Sequence, residues 1–204
     1  MTSTRGHKLT EDKAPPRYVV LVTDMLYDFI YGKLRSKRAK AIVPNISKLL
    51  DQARKNRIPV IYCNDEHNPS DPELILWGAH AMKGTKGSKV IQDLNPKPID
   101  KVVTKTAYSA FDGGHLDRIL RESYKRKGAT SLIMTGIHTH ICIKHSVYDA
   151  FVRGYDTIIA IDAVNAFTRK DHLFGLEYMK KHYKSKFMNI ASIIDMINDY
   201  GNHI

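Results

Sequence analysis

Six short apolar runs, rich in β-branched residues, recur along this chain with longer stretches of helical periodicity between them. The runs are "YVVLVTD" (18–24), "IPVIYCND" (58–65), "DKVVTK" (100–105), "SLIMTG" (131–136), "DTIIAID" (156–162) and "SKFMNI" (185–190). Runs that are apolar throughout, rather than alternating, suit strands buried on both faces. Helices are expected over 40–56, 112–127, 141–153, 171–183 and 191–199. In the first, Val43, Ile46, Leu49, Leu50 and Ala53 repeat with a helical period. Such alternation predicts an α/β fold, a three-layer α/β/α sandwich around a six-stranded parallel sheet of Rossmann-like type. The expected organisation is a polar arm over 1–17 followed by one domain over 18–204.

Composition narrows the partners. The net charge is +11 over 204 residues. The basic residues sit in short clusters, "KLRSKRAK" (33–40) and "KRK" (125–127), at expected helix surfaces and loops. No nucleic-acid-binding motif accompanies them, so a solvated basic surface is expected; polyanion binding is the alternative. The opening residues lack the apolar core of a secretory signal. No run of apolar residues is long enough to span a bilayer. Two cysteines, Cys63 and Cys142, do not make a disulfide framework. A cytoplasmic location is the expectation.

In an open parallel sheet, ligands bind beyond the carboxyl ends of the strands. Asp24 ends the first run, Asp65 the second with His67 just past it, and Lys105 the third. The fourth run leads into "GIHTHIC", which puts Cys142 on the first turn of the next helix. An acid, a lysine and a cysteine thus face one crevice. The segment 64–99 is long for a connection in a compact domain, which marks it as functional. It carries His67, His80 and the single tryptophan, Trp77.

Five stretches, in order, then carry a resemblance. "VVLVTDMLYDF", "NDEH", "WGAHAMKGTKGSKV", "VVTKTAYSAF" and "TGIHTHICIKHSVYDAFVRGYDTIIAIDAV" resemble the motifs of the isochorismatase-like cysteine hydrolases, the group of nicotinamidases and N-carbamoylsarcosine amidases. Isochorismatases proper lack the cysteine, so Cys142 aligns the chain with the amidohydrolases. The resemblance implies Cys142 as nucleophile, Asp24 as general base and Lys105 as their partner. It implies an oxyanion site of the His138 and Cys142 backbone N–H groups, with a cis peptide between Ile137 and His138. It assigns Asp65, His67 and His80 to a divalent metal, zinc first; the nearby carboxylates of Asp71 and Glu73 are additional or substitute ligands. A polar loop network is the alternative reading of the same residues.

A helix N-terminus and a nearby lysine lower a thiol pKa, so Cys142 is expected to be acidified. Without its neighbours it would read as an ordinary buried cysteine, as Cys63 does. Phe29 and Trp77 resemble the ring-stacking walls of nicotinamidases, although core packing accounts for such residues as well. Tyr108, Ile137 and His138 are expected beside the substrate. His138 stands where the family often carries a small residue. His140 and His145 read as secondary, with spacing too loose for a metal. The implied activity is hydrolysis of a small amide or carbamoyl compound, N-carbamoylsarcosine-like, through a thioester with release of ammonia. Nicotinamidase is the alternative, and a non-catalytic small-molecule-binding member the next. A homo-oligomer, dimer or tetramer, is expected from the resemblance; no specific nucleic acid and no membrane are expected as partners.

Overall fold

Valines and leucines at alternating positions of the first strand point to opposite sides of one sheet. Val20 and Val22 enter one core and Val19 and Leu21 the other, and all four are fully buried. The computed structural model describes residues 15–201. Most of the expected arm, residues 1–14, lies outside the described residues. Arg17 is already tied down, its N–H donating to Thr130 Oγ1 at 2.8 Å.

The strands are β1 (Tyr18–Thr23), β2 (Val60–Asp65), β3 (Lys101–Lys105), β4 (Ser131–Ile137), β5 (Asp156–Asn165) and β6 (Lys186–Met188). They form one six-stranded sheet in the order β3-β2-β1-β4-β5-β6, with every pairing parallel. The helices are α1 (Tyr27–Ile30), α2 (Lys37–Ala41), α3 (Val43–Lys55), α4 (Glu73–Trp77), α5 (His115–Arg126), α6 (Lys144–Val152), α7 (Arg169–His182) and α8 (Ile190–Gly201). The expected sandwich and parallel sheet are therefore present. None of these helices is long and apolar enough to cross a membrane.

Two cores flank the sheet. On one side Ile46, Leu49 and Leu50 of α3 and Ile190, Ile193 and Ile197 of α8 cover Val20, Val22 and Tyr62. On the other, Leu116 and Leu120 of α5, Val147 of α6 and Met179 of α7 cover Leu21, Ile61 and Leu132. Each fully buried leucine or isoleucine contributes roughly 1.5–3 kcal/mol. The expectation of burial on both faces fails at the edge. In β3, Lys101, Val102 and Thr104 are exposed, because the strand has a neighbour on one side only and a helix on one face. Helices α1, α2 and α4 are additions that the periodicity did not announce, each too short to display a period.

What matters for function is the strand order. It reverses between β1 and β4, so the connections that leave their carboxyl ends part to opposite sides of the sheet and open a crevice at the switch point. Thr23 of β1 lies in register with Gly136 of β4. Gly136 has φ +105°, and a Cβ there would sit 2.0 Å from the Thr23 carbonyl oxygen. Only glycine fits, and it turns the chain out of β4 towards the crevice.

Candidate active site

Each polar residue of the crevice is fixed by the strand that delivers it. Asp65 and Lys105 are directly paired across β2 and β3, which puts their side chains on the same face. Asp24 follows the last residue of β1 with φ 55°. Its N–H donates to the Cys63 carbonyl at 3.1 Å, and its Oδ1 accepts the Asp65 N–H at 2.8 Å. Cys142 lies in a π-helical turn, Thr139–Ile143, that runs straight into α6. Helix α7 packs against this turn at Gly175, where a Cβ would come within 2.9 Å of the His140 backbone. The peptide between Ile137 and His138 is cis.

Lys105 sits at the centre. Its ammonium lies 2.9 Å from Asp24 Oδ2, hydrogen-bonds Asp65 Oδ1, and donates towards Cys142 Sγ at 3.8 Å. Polar atoms of Asp24, Asp65 and Cys142 all lie within 4.8 Å of one another. All four side chains are buried. The three residues expected to act together, Asp24, Lys105 and Cys142, are brought together, and Asp65 joins them.

Burial sets the electrostatics. Burial and the neighbouring Asp65 push Asp24 up to about 6, against the pull of Lys105. Burial also disfavours charge on Asp65, but Lys105 and His67 outweigh it and hold that carboxyl below its ordinary value. Lys105 loses solvation, yet Asp24 and Asp65 together raise it well above the ordinary lysine value. The acidified thiol expected at Cys142 is not found. Burial, Asp24 and Asp65 raise the thiol, and Lys105 opposes them without winning. The resting cysteine is a neutral thiol beside a buried carboxylate. Cys63 is a core residue as expected, fully buried against Leu21 and Met134 on the α5 side, and burial raises its thiol as well.

Beside this centre, Asp65, His67, Glu73 and His80 offer four ligand atoms within 4.8 Å of one another. The expected set is thus brought together, with Glu73 as a fourth donor. Asp71 lies outside the set: its carboxylate accepts from His67 Nδ1 at 3.2 Å. His80 Nδ1 donates to the Gly78 carbonyl at 2.8 Å. Both rings therefore turn Nε2 inwards, as metal-binding histidines held by an outer hydrogen bond do. His67 Nε2 and Glu73 Oε1 are buried with no hydrogen-bond partner. Burial opposes a proton on His67, but Asp65 and Asp71 raise its pKa. Burial and Asp65 push Glu73 up to about 7. The loop is held by backbone bonds from His67 N–H to the Ala81 carbonyl (3.0 Å) and from Lys83 N–H to the His67 carbonyl (2.9 Å). Asp28 of α1 accepts the Ala81 N–H at 2.9 Å. An N₂O₂ donor set with stranded inward lone pairs fits a divalent metal such as zinc.

Over the thiol lies a small pocket. Phe29, Trp77, Tyr108 and His138 line it as expected. Ile137 does not: it is fully buried in the core on the α3 side, because its strand position points its side chain away from the crevice. Phe167, Leu34 and Ile141 also line it and were not foreseen. Phe167 stacks on His138 with ring centroids 3.8 Å apart, and Trp77 stacks on Phe167 at 5.8 Å. Trp77 Nε1 donates to the Tyr108 hydroxyl at 3.2 Å. The one signal for Phe167 was its place just past the carboxyl end of a strand. His140 and His145 stay secondary. His145 Nδ1 donates to the Ile141 carbonyl at 2.8 Å, and neither residue belongs to a metal-competent group among the described residues.

Sheet order defines an α/β protein of the doubly wound type, with a polar crevice at its switch point. The Isochorismatase domain family matches residues 18–192, and the chain belongs to that family, whose members are hydrolases acting on C–N or ester bonds. N-carbamoylsarcosine amidase from Thermoplasma acidophilum is similar at 35% identity and TM-score 0.79, over 85% of this chain and 96% of that one. A nicotinamidase from Bacillus subtilis is similar at 27% identity and TM-score 0.78, over 85% and 99%. Enterobactin synthase component B of Escherichia coli (strain K12) is 32% identical over 85% of this chain. The chain spans 63% of the length of that relative.

Proposed function

We propose that the protein is a cysteine amidohydrolase that cleaves a small carbamoyl or amide compound, N-carbamoylsarcosine-like, and releases ammonia. The observation that carries this reading is the buried Lys105 ammonium between the Asp24 carboxylate and the Cys142 thiol. A thiol that rests neutral needs a base at the moment of attack, and Asp24 at about 6 is poised near neutrality for that task.

In the first step Asp24 takes the thiol proton as Cys142 Sγ attacks the amide carbonyl. The carbonyl oxygen gains the negative charge, and the backbone N–H groups of His138 and Cys142 receive it. The C–N bond then breaks, Asp24 returns the proton to the departing nitrogen, and ammonia leaves a thioester. Water, deprotonated by Asp24, attacks that carbonyl, and the C–S bond breaks to regenerate the thiol. Lys105 keeps Asp24 ionised for each cycle.

Asp65, His67 and His80, with Glu73, would hold a divalent metal beside the pocket. When bound, the ion supplies a Lewis-acidic point that orients a polar substrate group. Phe29, Trp77 and Phe167 line the pocket with aromatic rings, which favours nicotinamidase as the second reading. The similarity to an N-carbamoylsarcosine amidase supports the first.

The test is ammonia release from N-carbamoylsarcosine, N-carbamoylglycine, ureidoacrylate, biuret, nicotinamide and pyrazinamide, with wild type and Cys142→Ala side by side and with zinc added or withheld. Release that disappears in the variant is expected. Saturable binding of these amides without release by wild type would instead favour a non-catalytic binding protein.

A further inference from the structure

The chemistry above leaves Ser146 of α6 without a task, although it stands one helical turn beyond Cys142. It is fully buried. Its hydroxyl donates to the Cys142 carbonyl at 2.7 Å and accepts the Ala110 N–H at 2.8 Å. Ala110 belongs to the stretch after β3 that carries Tyr108, a wall of the pocket. Among the described residues, this hydroxyl is the one hydrogen-bonded link from that stretch to the nucleophile turn and α6. Packing alone does not call for a serine there. Ile143, Val147 and Ala150 share the buried side of the helix and are apolar. Serine forms helices less readily than alanine, and a hydroxyl bonded back to the carbonyl four residues earlier slightly destabilises a helix. Alanine would fill the place at lower cost if filling were all that mattered.

The two segments it joins are otherwise anchored apart. Beyond β3, the Thr106 N–H and hydroxyl donate to Asp112 Oδ2 at 3.0 and 3.1 Å. The nucleophile turn is held from α7, by the Thr139 hydroxyl against His172 Nδ1 at 2.9 Å and by close packing at Gly175. These anchors fix each segment to its own surroundings and leave the gap between the Tyr108 wall and the thiol open. The Ser146 hydroxyl closes it: two short bonds lead from the Cys142 backbone to the backbone two residues past Tyr108. The Tyr108 ring also leans on His145, with centroids 5.3 Å apart, a contact without the directionality of a hydrogen bond.

We propose that Ser146 is a positioning residue: its hydroxyl ties the Cys142 backbone to the Tyr108 wall and so fixes the thiol's place against a carbonyl held in the pocket. The proposal rests on the amidohydrolase reading for the bond that reacts, and adds a part to its machinery. A misplacement of about 1 Å in such an alignment can cost about a hundredfold in rate.

The test is labelling of Cys142 by chloroacetamide, a small carboxamide that alkylates thiols, followed by intact mass. Wild type, Ser146→Ala, Ser146→Thr and Val147→Ala are compared, with Cys142→Ala as the blank for Cys63, and urea unfolding ranks their stability. Ser146→Ala removes the link and is expected to slow labelling about tenfold. Ser146→Thr keeps the hydroxyl and is expected to stay within about threefold of wild type. Val147→Ala loosens the same helix without touching the link; it unfolds at lower urea, yet its labelling stays within about threefold of wild type. Where an amide is turned over, Ser146→Ala lowers kcat and leaves KM nearly unchanged. Labelling of Ser146→Ala at the wild-type rate or faster, equal slowing by Val147→Ala, a Ser146→Thr protein as slow as Ser146→Ala, a loss carried by KM, or a wild-type Cys142 that resists the reagent overturns the proposal. The expected labelling pattern without ammonia release from any amide sinks the amidohydrolase reading alone.

Discussion

Replacing Lys105 by methionine tests the reasoning about the site most directly. The substitution keeps the side chain's length and removes its charge. It strands Asp24 and Asp65, which are 1% and 2% exposed, with no counter-ion at the centre. Breaking a buried ion pair from one side costs about 3–5 kcal/mol. For a domain of this size that is roughly 6–20 °C in Tm, at about 2–4 °C per kcal/mol. The loss depends on pH, and the sign follows from linkage. Lys105 lowers the pKa of both acids, so its removal raises them. A carboxyl raised in the folded state adds stability below its unfolded value of about 3.9, and that stability is lost as pH rises through the folded value. Wild-type Asp24 completes this loss near pH 6. The variant goes on losing about 1.4 kcal/mol per pH unit above that, for each extra proton it holds. Urea unfolding of both proteins between pH 5 and 8.5, with a chelator present, therefore shows a gap that widens with pH. Lys101→Met, at an exposed position of the same strand, stays within about 0.5 kcal/mol throughout. A Lys105→Met gap below about 1 kcal/mol, or one that is constant with pH, would refute the account of a buried ammonium shared by two acids.

Other consequences are open to measurement. With Asp24 at about 6, kcat/KM should fall roughly tenfold per pH unit below that value; a flat profile down to pH 5 would remove Asp24 as the base. Zinc at 100 times its Kd should raise the unfolding free energy by about 2.7 kcal/mol. His67→Ala and His80→Ala should each abolish that stabilisation in thermal melts, and unchanged metal content in either variant would count against the four-residue cluster. Gly136→Ala should cost about 2–3 kcal/mol and lower kcat, since the added methyl meets the Thr23 carbonyl at a positive φ; a neutral effect on denaturation would show that β4 can turn another way.

The fold was legible because its signals are summed over many residues. Val19 to Val22 alternate between two cores, and no single substitution would have hidden that run. Lys105 was legible because a lysine at the end of an apolar strand has few ordinary explanations. Its bond to Asp65 was not, since it depends on the register of β2 against β3. Phe167 escaped because it is set by the ten-residue reach of β5, where the register against β4 shifts between Met134 and Gly136. Helix α4 is too short for periodicity to show. The thiol was misjudged in direction: the helix N-terminus and Lys105 are visible in the sequence, whereas complete burial, which outweighs them, is a property of the assembled pocket.

The pocket's walls come from separate stretches of chain. Phe29 stands on α1, Trp77 on α4, Tyr108 beyond β3, His138 at the end of β4 and Phe167 beyond β5. Asp24, Asp65 and Lys105, by contrast, are pinned at neighbouring strand ends by backbone and register. Change in such a protein is modular. One panel can be exchanged by a single mutation in its own loop while the acid, ammonium and thiol keep their places. Descendants of one ancestral hydrolase can thus diverge in diet while inheriting the same teeth.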